Sequence, residues 1–167
     1  NTALIQLSCG NNQLTSLDVS QNTALNYLYC YQNQLTNLDV SQNTALTDLI
    51  CYNNQLTSLD VSQNTALTNL RCDNNQLTNL DVSQNTALAY LWCDNNQLTS
   101  LDVRNGNNIN FTYFHTTGNS NLNCISVDDA TWATNNWFNS VNSNFAFDSH
   151  TSFSNDCALF SSLTADF

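Results

Sequence analysis

The chain of 167 residues has no lysine and no glutamate, and arginine occurs only at Arg71 and Arg104. All 13 acidic residues are aspartates, which gives a formal net charge of −11 at pH 7. Proteins that bind nucleic acid or anionic membranes need Lys and Arg to neutralise phosphate. The composition therefore argues against both partners. It favours a solvated acidic surface, with calcium or a cationic partner as the alternatives.

Long apolar segments and recognisable catalytic motifs are also missing. No run of about 18 apolar residues occurs, so no membrane-spanning helix is predicted. The only histidines are His115 and His150, and neither accompanies a recognisable nucleophile motif. Asp128 and Asp129 are adjacent, so on a strand they would point apart and could not act as a catalytic pair. The chain is therefore predicted not to be an enzyme, and no catalytic residue is assigned.

No secretory signal precedes the first repeat unit. Asn1 already stands at the start of that unit. Stacked repeats need a polar cap at their exposed ends. We therefore expect this sequence to be part of a longer chain.

A 21-residue unit repeats five times over residues 1–105. The five units begin at Asn1, Asn22, Asn43, Asn64 and Asn85. Each follows the frame L-x-x-L-x-C-x-x-N-x-L-x-x-L-D-V, which in the fourth unit is Leu67, Leu70, Cys72, Asn75, Leu77, Leu80, Asp81 and Val82. The alternation around Arg71 predicts a strand with one buried face, and the Leu-Asp-Val segment predicts a second short strand on the opposite side. The Asn-Gln-Leu-Thr and Ser-Gln-Asn-Thr segments between them are typical of turns.

This frame resembles the leucine-rich repeat, and it is close to a short bacterial subfamily with 21-residue units and a Leu-Asp-Val second half. The resemblance covers Asn1 to about Asn119. It implies a right-handed solenoid with a concave parallel β-sheet, short second strands on the other side and little α-helix outside a C-terminal cap. Strands about 4.8 Å apart would turn every repeated residue into a ladder.

The periodicity weakens after residue 105. Residues 106–127 form a degenerate sixth repeat and a last strand, with Phe111, Phe114, Thr116 and Asn119 at frame positions. Residues 128–167 lose the period and become rich in Trp and Phe, which predicts a cap over the final coil. Asp128 or Asp129 is placed to cap the N-terminus of a short helix through Trp132. This segment resembles the closing segment of such arrays in secreted proteins of the Bacteroidetes and Flavobacteria.

The seven cysteines fall into two groups. The ladder cysteines Cys9, Cys30, Cys51, Cys72 and Cys93 are predicted to be buried free thiols, because their parallel Cβ vectors and their odd number disfavour disulfides. Their spacing also disfavours a zinc site. Cys124 and Cys157 lie outside the period at either end of the cap, and we predict a disulfide between them. A disulfide implies an oxidising environment, so the predicted location is extracellular or the bacterial cell surface.

Two polar ladders accompany the apolar frame. Asn12, Asn33, Asn54, Asn75, Asn96 and Asn119 are predicted to satisfy backbone groups at the turn after each strand. Asp18, Asp39, Asp60, Asp81 and Asp102 stack like charges at strand spacing. The simpler explanation for these aspartates is an Asx-turn, in which each carboxylate accepts a nearby backbone N–H. Calcium bound between successive carboxylates is the alternative, and no other cofactor is predicted.

Differences between the units concentrate at outward strand positions, in three columns. The first column is Gln6, Tyr27, Asp48, Asn69, Tyr90 and Tyr113. The second is Ser8, Tyr29, Ile50, Arg71, Trp92 and His115, and the third is Gly10, Tyr31, Tyr52, Asp73, Asp94 and Thr117. By strand alternation all three columns are predicted to face solvent on the concave sheet.

Aromatic residues and Arg in these columns predict a binding face, because such residues carry most of the binding energy at interfaces. The predicted ligand-binding residues are Tyr27, Tyr29, Tyr31, Asp48, Tyr52, Arg71, Asp73, Tyr90, Trp92, Asp94, Tyr113 and His115. The family implies a recognition or adhesion module with a protein or peptide ligand. A glycan stacked on Tyr and Trp is the alternative, and a structural spacer with drifting surface residues is the third hypothesis.

Overall fold

The computed structural model describes residues 1–138 and 144–158, and their regular elements are mostly three-residue strands. In chain order the strands are β1 (Gln6–Ser8), β2 (Tyr27–Tyr29), β3 (Asp48–Ile50), β4 (Asn69–Arg71), β5 (Asn79–Asp81), β6 (Tyr90–Trp92), β7 (Ser100–Asp102), β8 (Tyr113–His115), β9 (Cys124–Ser126), β10 (Phe145–Ala146) and β11 (Ser152–Ser154). All strand pairs are parallel. The predicted solenoid of short parallel strands is confirmed.

Seven strands form the main sheet, in the order β1-β2-β3-β4-β6-β8-β10. Its register advances by one repeat at each step, so that Leu28 pairs with Leu49, Leu49 with Leu70 and Leu70 with Leu91. These leucines are fully buried and form the centre of the core. The two residues that flank each leucine therefore point away from the core and form the first two outward columns, and the residue after each ladder cysteine belongs to the third.

The Leu-Asp-Val segments form a smaller sheet, in the order β11-β9-β7-β5. It includes the fourth and fifth units but not the first three, although the sequence predicts a second strand in each unit. The core valines of these segments are buried in all five units.

The C-terminal segment begins with the helix α1 (Ala130–Ala133), followed by a π-helical turn (Thr134–Phe138). The Asp129 carboxylate accepts a hydrogen bond from Trp132 N and so caps the helix. Trp137 is buried against Phe114 of the sixth unit and against Phe153. Residues 139–143 and 159–167 of the predicted cap lie outside the described residues.

The same segment extends both sheets by one strand each. β10 pairs with β8, and β11 pairs with β9, so the chain makes a further coil instead of only covering the last one. The sequence predicts neither strand, because the period has been lost. A disulfide joins Cys124 to Cys157 with a Cα–Cα distance of 5.8 Å, as predicted. No helix in the described part of the chain is long and apolar enough to cross a membrane.

The five ladder cysteines are free thiols, as predicted. Four are buried, and Cys9 in the first unit is half-buried. Burial raises the pKa of Cys30 to about 12, and it raises the pKa of Cys51, Cys72 and Cys93 well above its usual value. These thiols stay protonated at neutral pH and act as small apolar groups in the core.

Candidate binding face on the seven-stranded sheet

The turn after each main-sheet strand is held by the predicted Asn ladder. Asn54 Nδ2 donates to Cys30 O at 3.1 Å and to Cys51 O at 3.0 Å, and Leu35 N donates to Asn54 Oδ1 at 3.0 Å. Each such Asn therefore joins its own turn to the turn of the preceding unit. The residue before it has positive φ in the first five units, for example Asn53 at 53°, and Gly118 takes this place in the sixth. The third outward column precedes these fixed turns by one residue.

A second asparagine ladder was missed by sequence reasoning. Asn64 Nδ2 donates to Val40 O at 3.0 Å and to Asn43 O at 2.9 Å. Asn43 and Asn85 make equivalent bonds, and all three side chains are fully buried. The missed signal was the invariance of Asn at the first position of every unit, since a turn exposed to solvent would not require it.

The predicted Asp ladder lies on the other side of the coil and forms Asx-turns. Asp18, Asp39 and Asp60 each accept a hydrogen bond at 2.9 Å from the backbone N–H two residues later. That bond holds the pKa of each carboxyl below its usual value. In the described residues no group of three or more His, Cys or Asp is placed to hold a metal ion. Calcium at these carboxylates stays a prediction, which thermal unfolding with and without EDTA tests.

Residues of the second and third outward columns form a row of stacked aromatic rings and one guanidinium. The row begins with the Tyr31 ring, which lies over Gly10 so closely that a Cβ there would come within 2.7 Å of the ring. The Tyr31 and Tyr52 rings stack with centroids 4.9 Å apart and an interplanar angle of 8°. Arg71 continues the row, with its guanidinium carbon 4.5 Å from the Tyr52 ring centroid and 5.3 Å from that of Trp92. The sequence places these residues on one face, and the structure stacks them on one another.

The Asp73 carboxylate forms an ion pair with the guanidinium of Arg71. Arg71 Nε lies 3.3 Å from Asp73 Oδ1, and Nη2 lies 3.4 Å from Oδ2. Asn74 Nδ2 donates to the same carboxylate at 2.9 Å. Only 7% of the Asp73 surface is exposed, so this side chain does not face solvent as the outward columns predict. It serves as the buried counter-ion that fixes Arg71 between two aromatic rings.

Beyond Arg71 the row ends in the tryptophan cluster, which is Tyr90, Trp92, Tyr113 and His115. The Trp92 ring stacks on Tyr113 at 5.3 Å and on Tyr90 at 6.2 Å. The His115 ring meets Trp92 edge-on at 6.1 Å. Tyr90 is among the most exposed large hydrophobic residues of the described chain. The cluster therefore forms a broad aromatic surface on the main sheet.

Asp94 supports the tryptophan cluster from its buried side. Its carboxylate accepts hydrogen bonds from Thr117 N at 2.9 Å and from Thr117 Oγ1 at 2.7 Å, and lies 4.0 Å from His115 Nδ1. Burial raises the pKa of Asp94, and the Thr117 bonds and His115 oppose that rise. Asp94 thus positions His115 and Thr117 and presents little of its charge to solvent.

At the other side of the row lies the tyrosine–aspartate site, which consists of Tyr27, Tyr29 and Asp48. The two tyrosine rings are tilted by 54° with centroids 6.5 Å apart, and Tyr27 is 38% exposed. Asp48 pairs in register with Tyr27 in the neighbouring strand. Its carboxylate accepts hydrogen bonds from Thr47 Oγ1 at 3.0 Å and from Asn69 Nδ2 at 3.1 Å. Burial and the charge of Asp48 raise the pKa of Tyr29.

The structure therefore brings together most of the predicted ligand-binding residues in two parts of one face. The row from Tyr31 to His115 includes Tyr52, Arg71 and the tryptophan cluster, and the tyrosine–aspartate site lies beside it in β2 and β3. We call these residues together the binding face. Asp73 and Asp94 belong to its buried support.

Comparison with known proteins gives matches among solved structures. No protein-family model and no curated protein matches the chain. A leucine-rich-repeat protein of Leptospira interrogans is 29% identical with a TM-score of 0.65, over 79% of this chain and 35% of that one. The internalin InlF of Listeria monocytogenes is 24% identical with a TM-score of 0.61, over 91% of this chain and 47% of that one.

A third match has higher identity but a looser superposition. The functional domain of InlJ from Listeria monocytogenes, which includes a cysteine ladder, is 33% identical with a TM-score of 0.43, over 78% of this chain and 41% of that one. The chain spans less than half the length of each of these three proteins. The repeat frame, the two parallel sheets and the Leptospira and InlF structures agree on one architecture. The chain therefore adopts the leucine-rich-repeat fold, as a parallel β-solenoid.

Proposed function

We propose that this chain is an extracellular recognition module that binds a protein or peptide partner on the binding face. The observation that carries this proposal is the row of stacked groups from Tyr31 through Tyr52 and Arg71 to Trp92. Tyr, Trp and Arg are the residue types that dominate binding energy at protein interfaces. Because these side chains are already stacked on one another, little conformational entropy is lost when a partner immobilises them.

The scaffold beneath the face supports the same proposal. The turns between the strands that carry the outward residues are tied to neighbouring units by the Asn ladders. The likeness to leucine-rich-repeat proteins supports a protein-interaction module in general terms. The disulfide between Cys124 and Cys157 supports an oxidising, extracellular location, because such bonds persist mainly outside the cytosol.

The proposal is tested by a parallel screen of displayed peptides, surface proteins and a glycan array against the intact chain. A Tyr29→Ala/Trp92→Ala double variant removes one ring from each part of the face. The matched control is Ile109→Ala/Phe138→Ala, because these two side chains are 68% and 42% exposed but lie outside the face. We expect peptide or protein ligands whose binding is lost in the first variant and kept in the second.

Two outcomes would contradict the proposal in different ways. Glycan binding that is lost on Trp92→Ala, without any protein ligand, would make the face a carbohydrate site. Ligand binding that survives the Tyr29→Ala/Trp92→Ala change would place recognition elsewhere and leave the face a structural surface. Thermal unfolding of each variant checks that the fold is unchanged.

A further inference from the structure

The tyrosine–aspartate site has the same composition as the site around Arg71. At Arg71, two aromatic rings and one carboxylate surround a guanidinium, which lies 4.5 Å from the Tyr52 centroid and 3.3 Å from Asp73 Oδ1. At Tyr27, Tyr29 and Asp48 there are again two aromatic rings and one carboxylate on adjacent strands. The chain supplies no cation of its own to this second set.

Both arginines of the chain already form ion pairs with aspartates. The chain has no lysine, and its two arginines bind aspartates of their own turns. Arg71 pairs with Asp73, and Arg104 Nη2 pairs with Asp102 at 2.6 Å beside the smaller sheet. Within residues 1–138 and 144–158 Asp48 forms no ion pair, and its hydrogen-bond donors Thr47 and Asn69 are both neutral. The Oδ1 atom of Asn69, next to Asp48, is buried without a hydrogen-bond partner.

The net charge of the chain also favours a cationic ligand. A chain with a net charge of −11 attracts cationic partners and repels acidic ones. A guanidinium is stabilised both by an ion pair with a carboxylate and by a cation–π contact with the face of a tyrosine ring. Exposed Tyr27 provides such a ring face beside Asp48.

We infer that the tyrosine–aspartate site receives an arginine side chain of the partner, in the way that the chain's own Arg71 is received between Tyr52 and Trp92. This inference rests on the proposed function and names the chemistry of one of its contacts. The partner's guanidinium binds the Asp48 carboxylate and packs on the ring of Tyr27 or Tyr29. Peptides that lack an arginine bind this part of the face more weakly.

The spacing of the face also restricts the partner. The strands β2 and β6 are three steps apart in the main sheet, which at about 4.8 Å a step is about 14 Å. An extended peptide rises about 3.3 Å per residue, so about four residues cover that distance. A partner segment that crosses the strands thus carries its arginine about four residues from an apolar or aromatic residue that contacts Trp92.

The test uses N-acetyl-arginine amide as the probe and N-acetyl-citrulline amide as its uncharged counterpart. Both are titrated into the intact isotope-labelled chain at low salt, and backbone amide shifts are followed by NMR. We expect saturable shifts centred on Tyr27, Tyr29 and Asp48 with the arginine probe only. Asp48→Asn keeps the side-chain shape and is expected to weaken binding about three- to tenfold.

The matched control is Asp39→Asn, which removes the same charge from the Asp ladder on the other side of the coil. It is expected to leave the arginine titration unchanged. Equal shifts with citrulline, or equal weakening by both aspartate variants, would overturn the inference and indicate general attraction to an acidic protein. In that case the loss of ligand binding in the Tyr29→Ala/Trp92→Ala variant would still stand, so failure of the inference and failure of the proposed function are distinguishable.

Discussion

The guanidinium of Arg71 and the ring of Tyr52 are stacked, with 4.5 Å between the guanidinium carbon and the ring centroid. This contact joins what the sequence presents as two separate aromatic groups, one rich in Tyr and one around Trp92. The only arginine of the main sheet is therefore an internal link of the face. Asp73 pairs with its guanidinium, and the rings of Tyr52 and Trp92 both lie close to it.

Loss of Arg71 is expected to destabilise the chain more than loss of Arg104. Arg71→Ala leaves the Asp73 carboxylate buried without its counter-ion and should cost about 2 kcal/mol of unfolding free energy. Arg104→Ala removes an exposed pair and should cost about 0.5 kcal/mol. Denaturant unfolding measures both. The Arg71→Ala/Asp73→Asn double variant should recover part of the loss, and equal costs for the two arginines would contradict this account.

Alanine variants at two positions of the first Asn ladder, Asn54 and Asn12, test the bonds between units. Asn54→Ala removes three donor contacts and leaves Leu35 N without its acceptor, so we expect a cost of about 3 kcal/mol. Asn12→Ala changes the same ladder position in the first unit, where the side chain is exposed and binds only two carbonyls. Its cost should be about 1 kcal/mol. Similar values for both would show that the interunit bonds contribute little.

The two glycines with positive φ are expected to differ in their tolerance of alanine. Gly106 has φ of 73° but open space around its Cα, so Gly106→Ala should cost about 1 kcal/mol from backbone strain alone. A Cβ at Gly118, where φ is 76°, would collide with the Asn95 carboxamide and lie 3.3 Å from Asn95 Cα. Gly118→Ala should therefore cost about 2 kcal/mol or more by denaturant unfolding. An Asn95→Ala background should remove the part of the cost that is due to the carboxamide.

Asp94 and Asp39 should affect stability with opposite signs at neutral pH. Burial raises the folded-state pKa of Asp94, so its contribution is favourable at acidic pH and is lost as the pH rises through that pKa. The Ser41 N–H lowers the folded-state pKa of Asp39, so its contribution is present above the usual carboxyl pKa and is lost as the pH falls through the lowered one.

At pH 7 we therefore expect Asp94→Asn to raise the unfolding midpoint, because the amide oxygen still accepts the Thr117 bonds without a buried charge. Asp39→Asn should lower it slightly. Both differences should shrink toward strongly acidic pH, where the wild-type carboxyls are protonated. Thermal scans across the acid range check the pair, and a shift of the same sign in both variants would refute it.

Thiol alkylation should distinguish the ladder cysteines from one another. The thiolate is the reactive form, and burial raises the pKa of Cys30 to about 12. In native protein at neutral pH we expect iodoacetamide to modify half-buried Cys9 first and the four buried thiols only after unfolding. Peptide mass spectrometry reads the order. Cys124 and Cys157 should stay unlabelled until a reductant is added, and early labelling of either would contradict the disulfide.

The repeat frame and its resemblance to the leucine-rich repeat together predict the solenoid, the buried leucines, the thiol ladder and the first Asn ladder. This prediction succeeds because each frame residue has the same neighbours in every unit, so position determines burial. The disulfide between Cys124 and Cys157 and the helix cap at Asp129 also follow from local rules. The strands β10 and β11 could not be predicted, because their segments share no letters with the frame.

The arrangement of the binding face is predictable only in part. Strand alternation assigns Tyr27, Tyr52 and Trp92 to one face, but side-chain torsions decide which rings stack. Asp73 shows the limit: it stands in an outward column, yet it turns inward because Arg71 offers a charge and Asn74 offers a hydrogen bond. The pairing of these residues depends on neighbours from three units at once.

The Asn ladders give the array a direction. Asn54 binds the Cys30 carbonyl and the Leu35 amide of the unit before it, so each unit has its turn completed by the unit that follows. In the sixth unit the Asp148 carboxylate accepts hydrogen bonds from Gly118 N and Asn119 N, whose counterparts in the third unit, Asn53 N and Asn54 N, donate to backbone carbonyls of the following unit. Truncation from either end breaks backbone hydrogen bonds between coils. Truncation from the C-terminal end also removes the Asn side chain that pairs backbone groups of the preceding turn, while truncation from the N-terminal end instead leaves such an Asn side chain without its partners in the preceding unit. Unravelling should accordingly be less costly to start at the first unit than at the last.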